Sequence, residues 1–304
     1  MSWRLPQIAP AVVAAGFLSA LAASATGQTP ASGAAVPMRP YGTLAGCSEE
    51  PARFHACALD KARTYNPPRT PDGQPDFRGH WNRARVTSDN IEEHLEVVGD
   101  PGGKSLIVDP PDGRIPYQTW ALAKRADNAR HYIAPQAMCL QPGSPRGAYA
   151  PGGYQIMQTR ASVIFLHDFS HSYRVIYTDG RPHIPGGIRL AMGDSRGRWE
   201  GNTLVVDATN YNAKTWLDNE GNFFSDRVHI VERWTLIAPD ALHYSATIGD
   251  PRVYTRPWTL AFGIRRNADP AYELWESACH EGNRGELPGS SVGLKPYPGL
   301  TLPD

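Results

Sequence analysis

The sequence predicts a mostly β fold: an antiparallel meander closed into a barrel, with one helix and long ordered loops. Three observations predict it. Beyond Gly153, short runs of β-branched and aromatic residues recur about every 8 to 12 positions. The turns between them carry Asp179-Gly180, Gly201-Asn202, Pro239-Asp240 and Asp250-Pro251, and connections this short join antiparallel neighbours, since parallel ones need long crossovers. About eight such strands lose their exposed edges most simply by closing, and a barrel of that size is just wide enough to enclose one small ligand.

Taken in order, the chain opens as an export signal. Arg4 is the only charged side chain in the first 25 residues, and the apolar run from Ile8 to Leu21 is followed by Ala23-Ser24-Ala25, the order of a cleavable secretory segment. The run falls short of the ~20 apolar residues that span a bilayer. Residues 1–25 are therefore expected to be removed, leaving a periplasmic or secreted protein with no membrane span. Without Arg4 the chain carries 29 basic and 30 acidic residues. A surface so near neutrality argues against nucleic acid or anionic membrane and leaves a small molecule as the expected partner.

Residues 26–68 read as a Pro/Ala/Gly-rich tether that includes a small disulfide loop with a short helical turn near 51–62. Four cysteines in an exported chain make two disulfides. Cys47 pairs with Cys57 by proximity, and Cys139 with Cys279 by elimination. None of them has the short spacing of a zinc knuckle, and neither a metal nor a cofactor is expected. Turn residues from Asn66 to Gly73 mark the start of a barrel domain over 69–287, with 288–304 as a tail. Trp120, Leu122, Ala123, Ala126 and Ala129 fall near helical spacing and predict the one helix, over 119–132. The Pro- and Gly-rich segment 135–153 is an ordered loop. Strands follow at 155–159, 162–167, 172–178, 198–208, 227–237, 242–248, 259–265 and 272–278.

Gly79-His80-Trp81 resembles the G-x-W with which lipocalin-type (calycin) barrels begin. In such folds the Trp closes the barrel floor and stacks under an Arg of the last strand, which the resemblance assigns to Arg265 or Arg266. More broadly, the runs from Pro68 to Trp81, Gly193 to Asp207 and Cys279 to Asn283 are similar to recurring elements of a large, poorly characterised family of exported bacterial proteins. That resemblance implies export and lends no particular activity.

Alternation through 227–236 puts Val228, Ile230, Glu232, Trp234 and Leu236 on one face and Arg227, His229, Val231, Arg233 and Thr235 on the other. Glu232, alone among apolar neighbours, suits a general acid or base unless an Arg from a neighbouring strand pairs with it. His229 and Glu232 point apart, so they share neither a cavity nor a metal. With His171 and Asp207 they are the candidate proton-transfer groups, and Arg174 or Arg233 would stabilise negative charge. His171, Arg174, Asp179, Arg181 and His183 cluster about one strand and its turn, and His280 and Glu281 follow the last strand, where binding residues of barrel mouths collect. Trp199, Trp216, Trp234, Tyr244, Tyr254 and Trp258 either line a cavity for a flat or greasy molecule or make up the core.

Gly193-Asp194-Ser195-Arg196-Gly197 matches the nucleophile elbow, but it leads into a hairpin instead of a helix. The leading expectation is an exported barrel that binds a small, partly apolar, aromatic or terpenoid-like molecule. Any chemistry on it would be cofactor-independent acid–base work, as an isomerase, lyase or hydrolase. A non-catalytic carrier or envelope protein is the alternative, and a serine esterase built on Ser195 the third.

Overall fold

A computed structural model describes residues 40–84, 89–96, 101–279 and 293–300. The expected export signal, His280 and Glu281 lie outside them. Among the described residues nine strands form a closed ring. They are β1 (Gly79–Arg83), β2 (Gly153–Gln158), β3 (Ser162–His167), β4 (Tyr173–Tyr177), β5 (Asp194–Glu200), β6 (Thr203–Thr209), β7 (His229–Ala238), β8 (Ala241–Gly249) and β9 (Trp258–Arg266). Each pairs with the next in sequence, and β9 returns to β1 through the pairs Ile264↔Arg83 to Arg266↔Trp81. A two-residue turn at Gly201-Asn202 divides the expected strand 198–208 into β5 and β6. The expected strand at 272–278 is irregular; both edges of β9 are already paired, so the closed ring offers it no partner.

All seams of the ring are antiparallel except one. β4 and β5 run parallel and are joined by the single pair Tyr177↔Arg196, where an antiparallel seam was expected. The cause is the segment 178–193, long enough to carry the chain back to the end of the barrel from which β4 started. Gly197 makes the seam possible, because a Cβ there would stand 2.7 Å from the Ile176 methyl.

Among the described residues two α-helices flank the barrel instead of one. The expected helix is present as α2 (Thr119–His131), and α1 (Pro51–Thr64) is a full helix where only a turn was expected. Pro51 opens α1 at a position that needs no N–H. Phe54 and Ala58, one turn apart, pack with Leu44, Cys47, Ile237 and Ala241 on the outside of the barrel. Both disulfides form as paired above, with Cα–Cα separations of 5.9 and 5.7 Å.

Trp81 is wholly buried and donates its Nε1–H to the Phe77 carbonyl at 2.8 Å. The Arg266 guanidinium lies 4.1 Å from the centre of its ring and donates to the carbonyls of Arg78 and Pro239. Gly79 has φ +122°, and any Cβ there would meet Arg266 Nη1 at 2.7 Å, so this close approach requires glycine.

The barrel interior is filled. Trp234 packs on Tyr244 and Phe165 with ring centres 4.4 and 4.8 Å apart, and Phe262 meets Tyr244 and Tyr149. Tyr149 belongs to the loop before β2, which reaches inward and is anchored by buried Arg146 on the Asp218 carbonyl and the Asn219 side chain. These aromatic residues are thus core, packed against one another among the described residues.

His243, on the outer face of β8, is buried beneath α1, 2.9 Å from His55. Burial, aided by His55 and Arg233, lowers its pKa to about 3. His167 is also lowered to about 3, by burial and then by Arg174. In the unfolded chain both titrate near 6.5, so below that pH the unfolded state binds more protons. Stability should therefore be full above pH 6.5 and fall on acidification, by about 1.4 kcal/mol per pH unit for each histidine. Urea unfolding at pH 7.5, 6 and 5 should show this slope, and His243→Gln should remove its share.

Candidate functional site

The site follows from the weak seam. With one ladder pair between them, β4 and β5 part beyond Tyr177 and Arg196, and a cleft of 360 Å³ opens between Tyr173–Val175 on one side and Asp194–Ser195 on the other. Leu190 to Gly193, the end of the loop that leads into β5, supply a further wall, with Gln141. Arg174 and Met192 line this cleft and also a small internal void of 10 Å³, about the room of one water, bounded by Ser144, Phe165, His167 and Trp234. They form the partition between the two.

Arg174 is 7% exposed and Glu232 is wholly buried. Arg174 Nη1 stands 2.6 Å from Glu232 Oε2, an ion pair whose angle falls short of a hydrogen bond. Its Nε–H donates to Ser195 Oγ at 2.9 Å. Glu232 Oε1 accepts from the Ser144 hydroxyl and, at 2.7 Å, from the Tyr244 hydroxyl. Burial is the largest single influence and opposes the guanidinium charge, but Glu232 together with Tyr211 and Tyr244 outweighs it and lifts the Arg174 pKa above the ordinary arginine value. The Tyr244 hydroxyl is pushed well up, by burial and then by the same carboxylate. Arg174 Nη2 is buried and has no hydrogen-bond partner among the described residues.

A second polar chain runs along the outside of the barrel. His183, in the loop between β4 and β5, places Nδ1 2.5 Å from Asp194 and Nε2 3.1 Å from Asp207. Asp207 in turn meets His229 Nε2 at 3.1 Å. Arg196 pairs with Asp194 at 2.8 Å and donates to the Pro182 carbonyl. Together these contacts fasten the loop to β5 and β6, and through Asp207 the chain continues to His229 of β7.

Of the candidate residues, Arg174, Glu232 and Tyr244 meet inside the barrel. Asp207 and His229 meet outside it, so the four proposed proton-transfer groups do not form one site. His171 ends the short turn Phe169–His171. Arg233 is on the surface, paired with Glu200 at 2.9 Å. Trp199 packs edge-on against Phe77 and Trp216 against Tyr297, while Tyr254 meets Trp258 and donates its hydroxyl to the Phe223 carbonyl. All four pack, and Tyr254 also lines a separate surface cleft of 410 Å³ with Gln118 and Pro251.

Ser195 lies within β5, which turns into β6 and not into a helix, and among the described residues no histidine hydrogen-bonds to it, so the strand–turn–helix elbow of an esterase is not present there. His167 and His171 stand four apart, a spacing used by metal sites on helices, but His167 ends a strand. Among the described residues no group of three or more metal-ligating side chains is placed to hold an ion.

No family model, curated protein or solved structure matches this chain. Residue-by-residue reading missed Ser144 and Met192, because both lie in irregular segments where no periodicity shows which way a side chain points.

Glu232→Ala should destabilise the fold by about 3–5 kcal/mol, because it leaves a guanidinium buried without its counter-charge. The double replacement Arg174→Met with Glu232→Met should recover most of that loss. Denaturant midpoints of the three proteins test this, and equal stability of the single and double variants would contradict it.

Proposed function

We propose that this protein binds a small, partly apolar molecule in the cleft where the barrel wall parts between β4 and β5. The observation that carries this reading is the single-pair seam, which leaves a buried, polar-based recess open to the surface in a barrel whose interior is otherwise packed. Exposed apolar side chains gather at the cleft: Tyr173 and Leu190 line it, and Leu140 and Ile188 lie within two residues of lining positions. Such a grouping favours an apolar partner over water.

Binding without turnover is the form the geometry supports best. Glu232 is held by three partners, which leaves it poorly placed to move a proton to a ligand. His229 and Asp207 face the other side of the wall. The two disulfides support an exported protein working in an oxidising compartment, as does the resemblance to exported bacterial proteins.

The test uses 6-propionyl-2-(dimethylamino)naphthalene, a flat neutral ketone whose emission moves to the blue in apolar surroundings. The protein should bind it at one site, and Ala191→Trp, which fills the cleft from its half-exposed wall, should abolish the blue shift while leaving the circular dichroism and melting unchanged. Equal binding by both proteins, or by neither, would count against the cleft.

A further inference from the structure

We propose that the ligand is anchored by a single neutral oxygen, of the carbonyl type, received by the spare donor of Arg174, the residue common to the cleft and the void behind it. This deepens the reading above and rests on it. Three observations carry it.

The first is the unfilled donor. Arg174 is more than nine-tenths buried, and its Nη1 and Nε are occupied by Glu232 and Ser195, yet Nη2 has no partner among the described residues. A buried N–H without an acceptor carries a penalty that an incoming oxygen relieves.

The second is charge. The charged side chains lining the cleft are Arg174, Asp194 and Arg196. Arg174 is paired with Glu232, and Arg196 with Asp194, which also holds His183. No surplus cation is left over, so a carboxylate or phosphate would bring a negative charge that nothing offsets. His167, beside Arg174 in the void, is neutral near pH 7 because burial lowers its pKa to about 3. A neutral acceptor completes the donor set without that cost.

The third is room. The void behind the partition of Arg174 and Met192 measures 10 Å³, enough for one oxygen and too little for a carboxylate group. Met192, the other side chain of the partition, is unbranched and adaptable. It lies in the irregular segment before β5 and not in a strand of the wall.

The experiment compares three probes on the intact protein: the naphthyl ketone labelled with ¹³C at its carbonyl, the matching propyl hydrocarbon and the matching naphthoate. Wild type should bind the ketone about tenfold or more tightly than the hydrocarbon, and more tightly than the carboxylate. Its C=O stretch should fall on binding. Arg174→Lys keeps the charge facing Glu232 but lacks the spare donor. It should equalise ketone and hydrocarbon and return the stretch to a higher frequency. A ketone that binds in the cleft, as shown by loss in Ala191→Trp, with a stretch that Arg174→Lys does not move, overturns the anchor and leaves the cleft standing. Tighter binding of the naphthoate also overturns the anchor. Absence of any ketone binding sinks the cleft itself, and the anchor with it.

Discussion

The buried pair of Arg174 and Glu232 is the interaction on which the working part of this structure depends. It spans the barrel interior from β4 to β7, and its hydrogen-bonded neighbours add Ser195 from β5, Tyr244 from β8 and Ser144 from the inward-reaching loop. At the seam where the backbone contributes a single ladder pair, this side-chain network links the strands on either side. Charges taken out of water are costly unless each is compensated, so the five residues constrain one another's positions. The same constraint leaves one guanidinium nitrogen over, at the place where the wall opens.

A filled interior changes what kind of barrel this is. In a container-type barrel the ligand occupies the space between the strands, and the residues facing inward select it. Here Trp234, Tyr244, Phe165, Phe262 and Tyr149 occupy that space against one another. The loop that carries Tyr149 and Ser144 is held by the bridge from Cys139 to Cys279 and by Arg146. The packed core instead backs the recess in the wall between β4 and β5.

The outer chain of Asp194, His183, Asp207 and His229 supports the site from the other side. The segment 178–193 must travel outside the barrel to make β5 parallel to β4, and it would be a free surface loop without an anchor. His183 and the Pro182 carbonyl tie it down next to the cleft, and the Arg181 guanidinium lies 3.9 Å from the Tyr177 ring. Leu190 to Gly193 are placed by these contacts, so a group outside the wall shapes a recess that opens through it.

Much of the architecture could be read from the chain itself. The β-rich half, the helix at 119–131 and the opposite facing of Glu232 and His229 follow from local pattern, because strand and helix periods dictate which side chains share a face, and the two disulfides follow from the cysteine count and the closeness of Cys47 to Cys57. The helix at Pro51–Thr64 was underestimated, its apolar stripe being only Phe54 and Ala58. What the tertiary structure alone decided was the parallel seam, the packed interior and the meeting of Arg174 with Glu232. Those depend on how residues far apart in sequence fill a common space: a long loop's return path, a plug donated by an irregular segment, and a charge that becomes affordable only when its counter-charge arrives from another strand. Local pattern states which way a side chain points, and only the closed ring determines what it finds there.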